Sequence, residues 1–170
     1  DPFTILTTKV LGTGAQGTVF QCVRQGDPSK IFAVKAIPIW RLENDPESEG
    51  KLAGLEREVA VLQSVQGHEN VVECLGCWDI LHPFGKDALP NMYKMLVTEL
   101  VDGGELAALI AQTGGLDEAS ARGIFKQVLS GVEFLHGHKV LHRDLKVENI
   151  LLLPGEGGAR KVKLVDFGVA

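Results

Sequence analysis

The hydrophobic pattern of this chain changes period near Val101-Asp102-Gly103, and that change limits the folds open to it. Before this point, short β-branched and apolar runs are separated by Gly-bearing turns. Thr7 to Leu11, Thr18 to Arg24 and Ile31 to Ile37 therefore read as strands of an antiparallel meander. After it, Ala121, Ile124, Phe125, Val128, Leu129, Val132 and Leu135 recur at helical spacing behind a candidate N-cap, Asp117. A strand-rich part followed by a helix-rich part predicts an α+β arrangement.

The first part is not all strand. From Glu43 to Gly50 the chain turns acidic and polar, and Leu55, Val59 and Leu62 then mark one apolar face of a helix running up to Gly67. Val71-Val72 and Met95-Leu96-Val97 read as two further strands, joined by a Pro- and Gly-bearing loop from His82 to Asn91 that resembles an insertion. Near the end, Asn149 to Leu153 and Val162 to Val165 flank Pro154-Gly155-Glu156-Gly157-Gly158 and read as a hairpin.

Composition closes off several functions. With 170 residues, 45% hydrophobic and 23% charged, the chain is long enough to bury a core. Its formal charge of -5 and the lack of a basic block leave no electrostatic case for nucleic acid. No apolar run approaches the roughly 20 residues of a membrane span, and Asp1-Pro2-Phe3-Thr4 lacks the layout of a signal peptide. An intracellular, cytoplasmic protein is the expectation. Cys22, Cys74 and Cys77 are too sparse for a disulfide framework, and Cys74-Leu75-Gly76-Cys77 lacks the second pair that a closed zinc site needs.

Chemistry enters with Gly12-Thr13-Gly14-Ala15-Gln16-Gly17-Thr18-Val19, which fits GxGxxGxV. Positions without side chains let backbone N–H groups approach phosphate oxygens. A dinucleotide-binding turn would lead into a helix, whereas Thr18 to Val23 continues as a strand; a Gly-rich hairpin with no ligand has the same composition. Lys35 lies inside the apolar run Phe32-Ala33-Val34-Lys35-Ala36-Ile37. Glu58, three residues after Leu55 and four before Leu62, lies on the helix face that should be buried. Each alone would normally be solvated; together they invite pairing, because burying one charge alone costs several kcal/mol.

The most specific signals are His142-Arg143-Asp144-Leu145-Lys146-Val147-Glu148-Asn149 and Asp166-Phe167-Gly168. With GxGxxGxV, the lysine of Ala33-Val34-Lys35 and the helix glutamate in the same order, the whole chain resembles a eukaryotic protein kinase. Lys146 in HRDLKxxN resembles the serine/threonine type. Asp102-Gly103-Gly104-Glu105-Leu106, the stretch from Gln127 to Val132 and Leu135-His136 resemble the calcium/calmodulin-dependent and calcium-dependent kinase group.

The resemblance implies a two-lobed fold. Residues 1–101 would form an N-terminal lobe with a five-stranded antiparallel sheet and helix C, and residues 102–170 an incomplete helical C-terminal lobe that stops before the APE motif. These residues alone are then expected not to be a working kinase. ATP and magnesium are the implied cofactors, and the implied substrate is a protein Ser/Thr hydroxyl, with basic residues upstream of it.

By the same resemblance, Lys35 holds the nucleotide phosphates and is oriented by Glu58, beneath a loop carrying Gly12, Gly14 and Gly17. Asn149 and Asp166 hold magnesium, Asp144 accepts or orients the proton of the attacking hydroxyl, and Lys146 neutralises charge on the moving phosphoryl group. Leu11, Val19, Ala33 and Leu151 enclose adenine, the backbone of Glu99 and Val101 bonds its edge, and Thr98 is the gatekeeper. Glu105 faces the ribose and an upstream substrate arginine. Leu62, His142 and Phe167 match an internal stack, which is also compatible with plain core packing. A nucleotide-binding pseudokinase or scaffold is the rival reading, distinguished by loss of Lys35, Asp144 or Asp166, and none is lost. A pure interaction module built on the 82–91 loop is the third.

Overall fold

A computed structural model describes residues 2–14, 17–39, 48–82, 91–155 and 159–167. The glycine-loop tip Ala15-Gln16, the acidic stretch from Glu43 through Glu47, most of the 82–91 loop, Glu156 to Gly158 and Gly168 lie outside the described residues. Two compact units are present, one comprising Asp1–Val59 and Cys74–Leu100, the other Ala60–Glu73 and Val101–Ala170.

The first unit is built on strands β1 (Phe3–Gly14), β2 (Gly17–Arg24), β3 (Asp27–Pro38), β4 (Cys74–His82) and β5 (Asn91–Glu99). They form one antiparallel sheet in the order β1-β2-β3-β5-β4. Because side chains alternate across a strand, Val34 and Ala36 face one way, where Phe3, Phe20, Cys22, Met95 and Val97 join them in a core. Phe3 packs edge-on to Phe32 at 5.4 Å and against Trp78 at 5.5 Å, closing that face with aromatic area. The opposite face carries the registered row Val19, Lys35, Leu96 and Cys77.

Helix α1 (Ser48–Ser64) contributes to both units. Its buried face runs through Leu55, Glu58 and Leu62 and on to Val65, so a carboxylate takes one place in an otherwise apolar stripe. The strand expected at Val71-Val72 is not one. Val71 makes only an isolated parallel bridge to Leu164, Val72 N donates to Leu164 O at 3.1 Å, and β4 starts at Cys74. Those valines are apolar because they are buried, not because they extend a sheet.

The second unit contains α2 (Leu106–Thr113), α3 (Glu118–Gly137), a short 3-10 turn Val147–Asn149, and the antiparallel hairpin β6 (Ile150–Pro154) and β7 (Arg160–Leu164). Asp117 caps α3 as its sequence position suggests, its carboxylate accepting from Ser120 N at 2.9 Å. The apolar stripe of α3 is wider than its packed face: Ile124, Val128 and Leu135 are buried, while Phe125 and Leu129 are 61% and 50% exposed.

Candidate active site

In the first unit the site begins at the β1–β2 hairpin. Gly12 pairs with Val19, Thr13 with Thr18 and Gly14 with Gly17, so the two strands stay paired right up to the two-residue tip. Gly12 and Gly17 answer to different constraints. A Cβ on Gly17 would lie 2.2 Å from the Ala36 carbonyl oxygen, so the approach of β3 alone demands glycine there. A Cβ on Gly12 would meet nothing within 4 Å, so the fold itself does not require that glycine. Leu11 beside it is exposed.

Lys35 sits on the central strand β3, registered between Val19 of β2 and Leu96 of β5. Its Nζ donates to Glu58 Oε1 at 3.5 Å, with the lysine side chain 22% exposed and the glutamate 4%. The separation exceeds the ~2.8 Å of a tight charge-assisted bond. Ala33 and Thr98 are registered opposite one another, two residues along the same face, and Thr98 Oγ1 donates to Glu99 O at 3.2 Å. Cys74 and Cys77 also belong to this face; burial pushes the Cys77 thiol up to about 11 and that of Cys74 in the same direction. Neither is a thiolate at neutral pH, and among the described residues no group of three or more His, Cys, Asp or Glu side chains is placed to hold a metal.

The second unit gathers the remaining groups around one carboxylate. Arg143 adopts a left-handed conformation (φ 59°), and Asp144 N donates back to His142 O at 2.9 Å, which turns the chain sharply at Arg143. Lys146 Nζ donates to Asp144 Oδ2 at 2.8 Å and Asn149 Nδ2 donates to the same oxygen at 3.0 Å. Asn149 Nδ2 also donates to the Asp144 carbonyl at 2.9 Å. The Lys146 hydrogen bond above all holds the Asp144 carboxyl below its ordinary range, and Asp144 in turn raises Lys146.

Asp166 comes directly after β7 and is exposed, in a left-handed conformation (φ 65°) between two anchored neighbours. Val165 O accepts from His142 Nε2 at 3.0 Å, and buried Phe167 packs on the His142 ring at 4.9 Å. The donation to a carbonyl makes His142 the Nε2–H tautomer and leaves its buried Nδ1 without a partner. Leu62, the other residue matched to the internal stack, is buried. Val165 N donates to Asn149 O at 3.1 Å, so Asn149 and Asp166 emerge from the same end of the β6–β7 hairpin. That closure had no signal in the sequence, because it depends on strand register. Glu105 precedes α2, bridges Leu151 through the backbone and makes no side-chain cap bond; Val101, ahead of it, is half-buried.

Asn149 and Asp166 fit a hard divalent cation. The Asn149 amide nitrogen is committed to Asp144, which leaves Oδ1 as the atom on offer, and Asp166 adds a carboxylate.

Residues 5–170 match the protein kinase domain family, and the chain belongs to it. It is 35% identical over 162 residues to a probable serine/threonine-protein kinase, fhkD, of Dictyostelium discoideum, covering 95% of this chain and 20% of that protein. It is also 35% identical over 161 residues to calcium/calmodulin-dependent protein kinase type 1 of Caenorhabditis elegans, covering 95% of this chain and 41% of that one. The chain thus spans less than half the length of either relative. Among solved structures it is similar to Rad53 1-466 in complex with AMP-PNP, with a TM-score of 0.79 and 30% identity over 99% of this chain and 40% of that one. These relatives agree with the serine/threonine resemblance of the HRDLKxxN stretch and with the kinase-like α+β fold. No helix among the described residues is long and apolar enough to cross a membrane.

Proposed function

We propose that this chain carries the ATP-dependent transfer of a γ-phosphoryl group to a Ser or Thr hydroxyl of a protein. The observation that supports this most directly is the Asp144 carboxylate, held ionised and oriented by Lys146 at 2.8 Å and Asn149 at 3.0 Å. An exposed carboxylate fixed in this way can accept the hydroxyl proton while staying deprotonated at neutral pH. Lys146 Nζ, already beside it, meets the negative charge that develops as the phosphoryl group moves.

Nucleotide binding draws on the glycine hairpin and on Lys35. Open space at Gly12 admits phosphate oxygens to the backbone, and the 3.5 Å Lys35–Glu58 pair supplies a fixed positive charge for them. Leu11, Val19, Ala33 and Leu151 are assigned to adenine contact, with Thr98 as gatekeeper and the backbone of Glu99 and Val101 as hinge donors and acceptors. Asn149 Oδ1 and the Asp166 carboxylate would hold magnesium, which when bound would supply positive charge against the nucleotide phosphates. AMP-PNP in the similar Rad53 structure supports ATP as the nucleotide.

The test is phosphorylation of Ser/Thr peptides by the full-length protein with magnesium and ATP, compared with Lys35→Met. That change removes the charge and keeps similar bulk, and a loss on the order of 10²–10³-fold in kcat is expected. Wild-type turnover by Lys35→Met would overturn the reading.

A further inference from the structure

β7 is the outer strand of a two-stranded ribbon, and such an edge ordinarily leaves a row of backbone groups for water. Here each is taken. Gln127 of α3 uses its side-chain amide as a peptide group: Nε2 donates to Arg160 O at 2.8 Å and Oε1 accepts from Val162 N at 2.9 Å. Asn70 continues the row, its Nδ2 donating to Val162 O at 3.0 Å and its carbonyl accepting from Leu164 N at 2.8 Å. Val72 N completes it at Leu164 O. The two amides are joined, since Asn70 Nδ2 also lies 3.3 Å from Gln127 Oε1. Close approach of α3 is possible because residue 131 is glycine: a Cβ there would sit 2.8 Å from Leu164 Cδ1 and 3.3 Å from Asn70.

We propose that Gln127 is a positioning residue for phosphoryl transfer, acting with Asn70 as a third strand of side-chain amides that fixes the hairpin from which Asn149 and Asp166 emerge. Neither amide touches the reacting atoms. Their effect passes through β7 to Val165, whose N–H closes onto Asn149 O and whose carbonyl holds His142, immediately before Asp166. Loosening β7 therefore shifts one magnesium ligand relative to the other. This inference rests on the assignment of Asn149 and Asp166 made under the proposed function.

The experiment compares full-length wild type with Gln127→Leu, which removes both amide bonds at similar size, and Gln127→Glu, which keeps the acceptor for Val162 N but sets an oxygen against the Arg160 carbonyl. Hydrogen exchange should quicken by about tenfold at the Val162 amide, the equivalent of one hydrogen bond, and not at Lys161 and Lys163, which face β6. The magnesium concentration that half-saturates AMP-PNP binding should rise about tenfold in Gln127→Leu and less in Gln127→Glu, with kcat reduced and the peptide KM unchanged. If Gln127→Leu does not fold, Gln127→Glu carries the comparison, and a rise in the same direction is expected. A folded variant with the wild-type magnesium response overturns the positioning role. If wild type itself binds nucleotide without regard to magnesium, the functional assignment fails first, and this proposal with it.

Discussion

Lys146 Nζ and Asp144 Oδ2 lie 2.8 Å apart, two residues apart in sequence, and each moves the other's titration toward the charged form. The contact follows from the left-handed turn at Arg143 and the extended backbone at Lys146. If Asp144 is the base proposed above, this contact is expected to set the acid side of the pH dependence.

Lys146→Met removes the largest of the causes that lower Asp144. The Asp144 pKa then rises, so the acid limb of kcat/KM should move to higher pH in the variant, with kcat also reduced. For stability the sign is the same: a carboxyl lowered in the folded state stabilises it above its unfolded pKa, and that contribution disappears as pH falls through the folded value. The pair is exposed, so the effect should appear in the rate profile and hardly at all in thermal unfolding. An acid limb unmoved in Lys146→Met would contradict the assignment.

Gly12 and Gly17 should separate binding from folding. Gly17→Ala puts a methyl 2.2 Å from the Ala36 carbonyl and should lower stability by about 1–3 kcal/mol. Gly12→Ala meets open space, so its unfolding transition should match wild type while ATP affinity falls. Denaturant melts alongside calorimetric nucleotide titrations distinguish the two; equal melts for both variants would contradict the steric argument.

Much of this was legible in the sequence because charges sat where the local pattern called for apolar residues. Lys35 in a strand and Glu58 on a buried helix face were conspicuous for that reason, and the structure pairs them. Asp117 and the β6–β7 hairpin were readable from local turn and cap chemistry. What escaped were relationships that depend on distant partners. Val71-Val72 read as a strand because composition reports burial and not the identity of the neighbour, which is Leu164. β4 was hidden by Gly76 and by the Asp79 that pairs with Lys94 across to β5. The sequence carries Gln127 only as part of a family resemblance and gives Asn70 no role; the signal for their contact with β7 is an amide beside the buried positions of α3 and another directly before two valines.

Glu105 is exposed and is not used to cap α2, which leaves its carboxylate available to a basic side chain. With the full-length protein, a peptide array should show a preference for Arg upstream of the acceptor hydroxyl, and Glu105→Ala should relax it without lowering kcat on an uncharged peptide. An identical preference in both proteins would remove Glu105 from substrate choice.

The most direct measurement of the role proposed for Asp144 is single-turnover phosphoryl transfer by full-length Asp144→Asn, paired with its affinity for magnesium-ATP. Asparagine keeps the shape but offers no base, and the charge that holds Lys146 is gone. Nucleotide binding is expected to stay near wild type, with transfer slowed on the order of 10²–10⁴-fold. Transfer at the wild-type rate in a folded Asp144→Asn protein would contradict it.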